Sequence, residues 1–268
     1  MTIAIIGAGV MGEALLSGIL ASGTSPSNLV IAERREDRAA ELTDRYGVTC
    51  ADVATAVADA DTVLLVVKPQ DMMAVLEEIF DSLNPKSLVV SLAAGISTKS
   101  IEQKLHPAQP VVRVMPNTPS LIRAGIAGVS AGSACNTDHI QQVVTLMASV
   151  GEVVEIPETL QDALTAVSGS GPAYVFYIIE SMVSAGVDLG LSREIATKLA
   201  VQTVYGAASL IKESGEEAAT LRERVSSPNG TTVAAIGTLD SHQVREAFVA
   251  AMKACRDRSI ELGQETTK

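Results

Sequence analysis

Short apolar segments alternate with longer helical patterns over the first 156 residues of the chain. Seven segments rich in β-branched residues are predicted to be strands: 2–6, 29–33, 62–67, 88–92, 111–115, 126–130 and 152–156. Between the first five, apolar residues recur at helical spacing, as in 11–21 and 72–80. Strands that are apolar throughout and separated by helices indicate a parallel sheet with helices on both faces.

The strand pattern stops near residue 158, and long helical segments rich in Ala, Leu, Val and Ile follow at 172–189, 193–213, 216–225 and 242–262. We therefore predict an α/β domain over residues 1–157 and an all-α domain over residues 158–268. Segment 172–189 is apolar on nearly every face, and a helix of that kind must be buried all round. This favours burial by a partner subunit, with burial inside its own helical bundle as the alternative.

Composition narrows the class of protein. The chain has 268 residues, of which 47% are hydrophobic, and its net charge of −11 disfavours nucleic-acid binding because a basic patch has little to be built from. No apolar run approaches the roughly 20 residues that a bilayer requires, and no basic signal-like segment precedes the first strand. Three cysteines stand far apart in no metal-binding spacing. They predict reduced thiols in a cytoplasmic protein without a metal site.

A glycine-rich turn joins the first predicted strand to the first helix. It has the form G-x-G-x-x-G in the required context of strand, turn and helix. Gly7 permits the tight turn, Gly9 lets the backbone approach a pyrophosphate, and Gly12 allows close packing of helix on strand. The turn predicts a Rossmann-type dinucleotide-binding domain, and its candidate cofactor-binding residues are Ile6, Gly7, Ala8, Gly9, Val10, Met11 and Gly12.

The end of the second predicted strand carries two opposing signals for the choice of cofactor. Glu33 lies 21 residues past Gly12, where an acidic residue normally holds the ribose 2′-hydroxyl of NAD. Arg34 and Arg35 follow directly, and guanidinium groups pair strongly with the 2′-phosphate of NADP. Their alternative role is an exposed charge cluster with residues 36–38. We predict that NADP(H) is preferred and that NAD(H) is accepted.

Polar, Gly or Pro residues also interrupt the chain at the ends of three further predicted strands, at 66–70, 93–95 and 115–119. Ligands of open α/β sheets bind beyond the carboxyl ends of the strands, so these segments are expected to line one crevice. In the helical half, the hydroxyl-rich segments 168–174 and 225–232 each precede a helix. Their free amides can hold an anion such as a carboxylate, or the segments can simply cap helices.

In this order the motifs resemble the pyrroline-5-carboxylate reductase family. The likeness covers essentially the whole chain, and its most specific part is Ser-Ser-Pro-Asn-Gly-Thr-Thr-Val-Ala-Ala-Ile-Gly-Thr-Leu-Asp at 226–240. The other matching motifs are the glycine turn, Val-Lys-Pro at 67–69, Ala-Ala-Gly at 93–95, Met-Pro-Asn-Thr-Pro at 115–119 and Ser-Gly-Ser-Gly-Pro-Ala-Tyr at 168–174. Two positions depart from the family's pattern: Asn229 stands where a second glycine is common, and Ala218-Ala219 replaces a frequent Pro-Gly. Neither removes a group that the chemistry needs.

The resemblance implies hydride transfer from NAD(P)H to the C=N bond of 1-pyrroline-5-carboxylate, which gives L-proline in the last step of proline biosynthesis. It implies that Thr232 hydrogen bonds the ring nitrogen and is the candidate proton donor, whereas a mere helix cap is the alternative. The implied substrate-binding residues are Glu158, Ser227, Gly230, Thr231 and Thr232. The resemblance adds further cofactor-binding residues: Val67, Lys68, Pro69, Ala93, Ala94 and Asn117.

For two of these residues a purely structural role is the alternative to ligand binding. Glu158 can serve as a favourable charge at a helix start, and Lys68 can be a solvated strand end. The resemblance also implies a helical dimerisation domain with interleaved helices, and larger rings of dimers such as decamers. Two rival functions stay open. A 3-hydroxyacid dehydrogenase relative would need a lysine soon after residues 168–171, where none occurs before Lys198. A sensor that binds NADP and a metabolite without turnover is the second rival.

Overall fold

The computed structural model describes the chain over residues 1–266 and divides it into two compact units. The first unit holds residues up to Ser170 together with the end of the last helix from Ala254, and the second unit is Gly171–Lys253. These units follow spatial contacts and do not coincide with the predicted domains 1–157 and 158–268, because residues 158–170 pack within the first unit. The domain boundary itself stays a prediction.

A single eight-stranded sheet forms the centre of the first unit. Its strands are β1 (Ile3–Ile6), β2 (Leu29–Ala32), β3 (Thr49–Cys50), β4 (Thr62–Leu65), β5 (Leu88–Ser91), β6 (Val111–Met115), β7 (Gly125–Ala131) and β8 (Gly151–Glu155). They lie in the order β3-β2-β1-β4-β5-β6-β7-β8. The seven predicted strands are confirmed, whereas β3 was not predicted, because two residues are too short for a periodic pattern.

The first five predicted strands, which helices separate, pair in parallel as expected, and the sheet has one antiparallel pair beyond them. Neighbouring strands are parallel except β6 and β7, which pair antiparallel with Val114 opposite Val129. The chain between them contains only the short 3-10 helix Thr118–Ile122. A parallel return needs a crossover of a dozen or more residues, so a connection this short reverses the strand direction.

Helices cover the chain between and after the strands. In the first unit they are α1 (Val10–Ala21), α2 (Glu36–Tyr46), α3 (Val53–Ala58), α4 (Met72–Ile79), α5 (Thr98–Glu102), α6 (Thr137–Ala148) and α7 (Gln161–Leu164), followed by a π-helical turn at Thr165–Gly169. The second unit contains α8 (Gly171–Asp188), α9 (Arg193–Ser214), α10 (Ala218–Arg224) and α11 (Thr231–Ser241). The last helix, α12 (Val244–Thr266), begins in the second unit and ends in the first.

The two faces of the sheet each bury a separate hydrophobic core. Ile3 and Ile5 of β1 belong to one cluster, which also contains residues of α1, α2 and α6. Ala4 and Ile6 belong to the other, with residues of α3, α4 and α5. Successive side chains of a strand point to opposite faces, so this alternation places helices on both sides of the sheet. The predicted doubly covered α/β sheet is confirmed.

The second unit leaves much of its apolar surface uncovered. Its buried cluster consists of Val183, Ala196 and Ala200. On α8, Phe176 and Tyr177 are 58% and 71% exposed. Burial of α8 inside its own helical bundle is therefore wrong, which leaves a partner subunit as the source of burial. No helix in the described part of the chain is both long and apolar enough to span a bilayer.

Candidate active site

A cleft of about 660 Å³ opens at the carboxyl ends of β1, β2 and β4. Successive strands are added on one side of β1 up to β3 and on its other side from β4 onward, so the strand order reverses between β1 and β4. Open α/β sheets bind their ligands at such a point. The volume is within the range of small-molecule and cofactor sites. The cleft contains these predicted cofactor-binding residues: Ile6, Gly7, Glu33, Arg34, Arg35, Val67 and Lys68.

The three glycines of the turn have different structural reasons. Gly7 has φ +91°, and a Cβ there would lie 2.6 Å from the carbonyl oxygen of Val66. A Cβ at Gly12 would collide with the carbonyl oxygen of Gly7. Gly9 is different, because no heavy atom lies within 4 Å of the position that its Cβ would take. The folded chain itself requires Gly7 and Gly12, whereas the space beside Gly9 is free for a ligand.

The first turn of α1 presents backbone amides without a side-chain cap. Gly9 is the N-cap residue, and its carbonyl accepts the first helical hydrogen bond from the amide of Glu13 at 2.9 Å. The preceding amides of the turn have no helical partners, and the helix dipole favours negative charge at this end. A phosphate beside Gly9 would therefore meet donors of suitable direction and a favourable field.

One acidic side chain, Glu13, lies in that first turn but is neutralised by its neighbours. Its carboxylate pairs with Arg38, with Arg45 at 2.6 Å, and with the hydroxyl of Tyr46 at 2.9 Å. Burial alone would raise the pKa of Glu13, but the hydrogen bonds from Arg38 and Tyr46 and the two guanidinium charges bring it below its ordinary value. Arg38 also donates to the carbonyl oxygen of Ala8 at 3.4 Å, so this cluster braces the glycine turn.

We expect Glu13→Gln to lower the free energy of unfolding by about 1 kcal/mol at pH 7, the scale of a partly exposed ion pair. Because the folded-state pKa is lowered, the stabilisation is complete above the ordinary pKa of a glutamate. It is lost as the pH falls through the folded value. Urea unfolding between pH 7 and pH 3 measures both effects. Glu36→Gln, at an exposed position in the first turn of α2, is the control. A difference that did not shrink with acid would contradict this role.

The predicted cofactor-selecting residues divide into a bound pair and a free cation. The Glu33 side chain is only 10% exposed, and its Oε1 accepts hydrogen bonds from the Arg35 amide at 3.1 Å and from the Arg35 Nε at 3.3 Å. Arg34 lines the cleft and makes no hydrogen bond or ion pair with any residue that the structure describes. One oxygen of the carboxylate that would hold a ribose hydroxyl is thus engaged by Arg35, and the Arg34 guanidinium is available for an anion.

The remaining predicted cofactor-binding residues lie outside the lining of the cleft. Pro69 begins a 3-10 turn directly after the exposed Lys68, while Ala93 is buried two residues past the end of β5 and Ala94 follows it. The side chain of Asn117 donates to the carbonyl oxygen of Ser168 at 3.2 Å and accepts from the amide of Ile126 at 3.0 Å. Asn117 therefore holds backbone segments together, and its contact with a cofactor stays a prediction.

Glu158, the predicted substrate-binding acid, is in the first unit and has both carboxylate oxygens engaged. They accept from the Thr98 amide at 2.7 Å and from the Thr98 hydroxyl at 2.6 Å. The Arg113 guanidinium lies 3.6 Å from the same carboxylate. The alternative of a charge at a helix start agrees with the structure, since Glu158 is the first residue of the 3-10 helix Glu158–Leu160, and it also bonds to the start of α5. Its contact with substrate stays a prediction.

The other predicted substrate-binding residues form the loop before α11 in the second unit. Ser227 and Gly230 close a turn, with the Gly230 amide donating to the Ser227 carbonyl oxygen at 2.9 Å. Asn229 has φ +59°, a left-handed conformation that asparagine tolerates better than most residues, which explains how it stands in for a glycine. Gly230 is the N-cap residue of α11, so the alternative that Thr232 caps this helix is wrong.

The hydroxyl groups of this loop remain available. Ser227, Thr231 and Thr232 make no side-chain hydrogen bond with the described residues, although Ser226 donates to the Arg222 carbonyl oxygen at 2.6 Å. No side chain caps α11 within the described chain, so its first amides are free as well. A small carboxylate would find both hydroxyl and amide donors here.

The sequence motifs did not identify one buried cation, Arg113. Arg113 lies within β6 with only 4% of its surface exposed, close to Glu158 and Asp162. The signal was present, because a single arginine interrupts the apolar strand Val-Val-Arg-Val-Met. A charge inside a buried strand requires partners, and these come from residues about 50 positions away in the sequence.

Known proteins match both halves of the chain. A family described as pyrroline-5-carboxylate reductase dimerisation matches residues 158–262, and one described as NADP oxidoreductase, coenzyme F420-dependent, matches residues 2–95. A protein of Corynebacterium melassecola named pyrroline-5-carboxylate reductase is 48% identical, over 98% of this chain and 99% of its own length. The chain belongs to the pyrroline-5-carboxylate reductase family.

Solved structures of the family agree in fold over almost their whole length. The reductase of Coxiella burnetii superposes with a TM-score of 0.92 at 39% identity, covering 97% of this chain and 98% of that one. The enzyme of Plasmodium falciparum, solved with NADP bound, has a TM-score of 0.88 at 28% identity and covers 98% of each chain. The predicted family and fold class are confirmed. Like its relatives in this family, the chain is an oxidoreductase that self-associates through a dimerisation region.

Proposed function

We propose that the chain reduces 1-pyrroline-5-carboxylate to L-proline, the last step of proline biosynthesis, with NADPH as the preferred hydride donor. The near full-length likeness to reductases of this name supports the reaction. The observation that carries the cofactor assignment is the uncapped glycine turn at the cleft, with free space beside Gly9. A bound reduced nicotinamide supplies the hydride, and the protein supplies orientation and charge.

The cofactor is proposed to bind along the cleft of the first unit. The amides at the start of α1 hold the pyrophosphate, and the absence of a side chain at Gly9 lets the pyrophosphate approach the backbone closely. Arg34 pairs with the 2′-phosphate, while Glu33 and Arg35 hold each other in place at the edge of the cleft. Lys68, which is exposed and lines the same cleft, borders the nucleotide on the β4 side. The nicotinamide end is proposed to lie towards Ala93, Ala94 and Asn117.

The substrate carboxylate is proposed to bind at the loop before α11. Free amides at Thr231 and Thr232 and the hydroxyl of Ser227 are donors for its two oxygens. Thr232 donates a hydrogen bond at the ring nitrogen. The nitrogen takes a proton first, hydride then adds to the carbon of the protonated C=N bond, and the π electrons of that bond become the lone pair of the amine nitrogen. A protonated imine accepts hydride readily, so a buried strong acid is unnecessary.

Nicotinamide absorbance tests the reaction directly. We expect wild-type protein to oxidise NADPH when 1-pyrroline-5-carboxylate is added, and to oxidise NADH more weakly. Formation of proline in equal amount establishes the product. Fluorescence titration of NADPH in the absence of substrate separates an enzyme from a sensor. Binding of NADPH without any turnover would support the sensor, and the absence of both would overturn the cofactor site as well.

We expect Arg34→Ala to raise the KM for NADPH roughly 10-fold, the cost of one lost guanidinium–phosphate interaction, and to leave the KM for NADH unchanged. Arg35→Ala releases Glu33 to bind a ribose hydroxyl, so this variant is expected to use NADH better than wild type. Steady-state kinetics with both cofactors measure the two effects. Lys86→Ala, which removes an exposed cation at the opposite end of the sheet, is the control. Equal loss with NADPH and NADH would contradict the assignment.

The second unit is proposed to form dimers that assemble further into rings such as decamers. The exposed apolar residues of α8 and α9 support an extensive dimer contact, since they include Phe176, Tyr177 and Leu199 at more than half exposure. Sedimentation across a range of protein concentrations distinguishes a dimer from larger rings. We place the reaction in the cytoplasm, which the three unpaired cysteines support.

A further inference from the structure

A partly buried ionic cluster, with the buried Arg113 at its centre, lies behind the end of β5. The Arg113 guanidinium is 3.6 Å from a Glu158 oxygen through Nη1 and 3.6 Å from an Asp162 oxygen through Nη2. The same Asp162 oxygen accepts a hydrogen bond from the Ser259 hydroxyl at 2.7 Å. Four side chains from β6, the turn before α7, α7 itself and α12 thus meet around one cation. We call them the arginine cluster: Arg113, Glu158, Asp162 and Ser259.

The arginine cluster fixes the segment 93–98 at two points. Glu158 accepts from both the amide and the hydroxyl of Thr98, at the start of α5. On the other side, Ser259 brings the end of α12 against Gly95. Backbone touches backbone there, because a Cβ at Gly263 would collide with the carbonyl oxygen of Gly95. The segment that follows β5 is therefore held by a side chain at one end and by a helix backbone at the other.

Stability alone is a poor reason for such a cluster. A buried charge often contributes less than an apolar side chain of the same volume, because it loses its hydration. Arg113 is buried in this way, while Glu158 and Asp162 are 25% and 26% exposed. Here the arrangement is also incomplete, since the Arg113 Nη2 is buried without a hydrogen bond, and its contacts at 3.6 Å are long. The charges instead give specificity to the packing. Besides Arg113, Glu158 binds Thr98 and Asp162 binds Ser259, which fixes Thr98 and α12 in a single arrangement.

We propose that the arginine cluster positions Ala93–Gly95 for hydride transfer. Arg113, Asp162 and Ser259 are positioning residues, which touch neither substrate nor cofactor and act through Gly95 and Thr98. Glu158 adds this positioning role, through Thr98, to its predicted contact with substrate. This inference rests on the proposed function, in which Ala93 and Ala94 border the nicotinamide. It gives Glu158 a role in the first unit that agrees with its hydrogen bonds. Displacement of reacting atoms by an ångström or less slows a reaction much more than it weakens binding.

Two variants test the cluster in the full-length protein. Asp162→Asn keeps an acceptor for Ser259 but removes the charge opposite Arg113, and Ser259→Ala is the milder change. We expect kcat to fall roughly 10-fold in the first and less in the second, because the reacting atoms are misplaced. The fluorescence-measured Kd for NADPH and the KM for 1-pyrroline-5-carboxylate should change less than about 3-fold. Asp257→Asn, at an exposed aspartate of α12 that pairs only with Arg256 among the described residues, is the control.

A kinetic isotope effect separates positioning from simple loss of structure. With NADPH deuterated at the transferred position, the isotope effect on kcat should rise in both cluster variants, since hydride transfer becomes rate-limiting. Variants that lose thermal stability but keep the wild-type kcat and isotope effect would overturn the proposal. A wild-type chain without turnover would overturn the proposed function and this proposal together. Turnover by wild type, matched by equally active cluster variants, would overturn this proposal alone.

Discussion

Replacement of Gly9 by alanine is expected to weaken NADPH binding by about 10-fold or more while changing the free energy of unfolding by less than about 1 kcal/mol. The backbone of Gly9 is extended, with φ −66°, and any residue adopts that conformation. A Cβ there meets no heavy atom of the chain within 4 Å. In the complex, however, the methyl group would stand where the pyrophosphate approaches. Fluorescence titration with NADPH and thermal unfolding give the two readouts.

Gly12→Ala is the matched comparison for that result. Its Cβ would collide with the carbonyl oxygen of Gly7, so we expect this variant to lose stability and binding together. We therefore expect Gly9→Ala to weaken NADPH binding without loss of stability, and Gly12→Ala to weaken both. If Gly9→Ala bound NADPH as tightly as wild type, the pyrophosphate would not lie at this turn, and the cofactor site would have to be sought elsewhere.

Thr232→Val is expected to lower kcat/KM for 1-pyrroline-5-carboxylate by roughly 10- to 100-fold, the cost of one hydrogen bond to a charged or reacting group. Valine keeps the shape of the side chain and removes its donor. The Thr232 hydroxyl makes no hydrogen bond with the described residues and does not cap α11, so its loss should leave the fold unchanged. The Kd for NADPH should also stay constant, because the proposed cofactor cleft lies wholly in the first unit.

Two companion variants sharpen the test at Thr232. Thr232→Ser retains the hydroxyl and should recover most of the activity. Thr238→Val removes a hydroxyl from the same helix that donates only to the Ala234 carbonyl oxygen, and it should behave as wild type. A Thr232→Val protein with the kcat and KM of wild type would remove this residue from the mechanism and leave the free amides of α11 as the substrate-binding donors.

Local patterns in the sequence were sufficient for most of the fold. Runs of buried β-branched residues mark strands such as Val111–Met115, and a glycine turn between strand and helix marks the cofactor site. Two features have no comparable signal. The strand Thr49–Cys50 is too short for periodicity, and the reversed direction of Gly125–Ala131 follows from the length of a connection rather than from its own composition.

The candidate site was predicted less completely, because its side chains choose partners far away in the sequence. Asn117 resembles a ligand-binding residue in its motif, yet its amide bonds to backbone at Ser168, 51 positions on. Glu158 bonds to Thr98 across 60 positions. Only the folded chain reveals whether a polar side chain in a motif is free for a ligand or already satisfied. Arg34 and Thr232 make no side-chain bond within the described chain, whereas Asn117 and Glu158 already bond to other parts of it, and the ligand contacts of all four stay predictions.

The uncovered α8 has a consequence for how the protein reaches its native state. A buried cluster of Val183, Ala196 and Ala200 is too small to offset the entropy of ordering more than 80 residues, so the second unit gains its stability from the partner. Renaturation should therefore include a bimolecular step whose rate rises with protein concentration. When the protein is too dilute to associate quickly, the aromatic residues of α8 stay exposed to water and can cause aggregation. Dilution therefore protects this chain from aggregation less than it protects a monomeric enzyme.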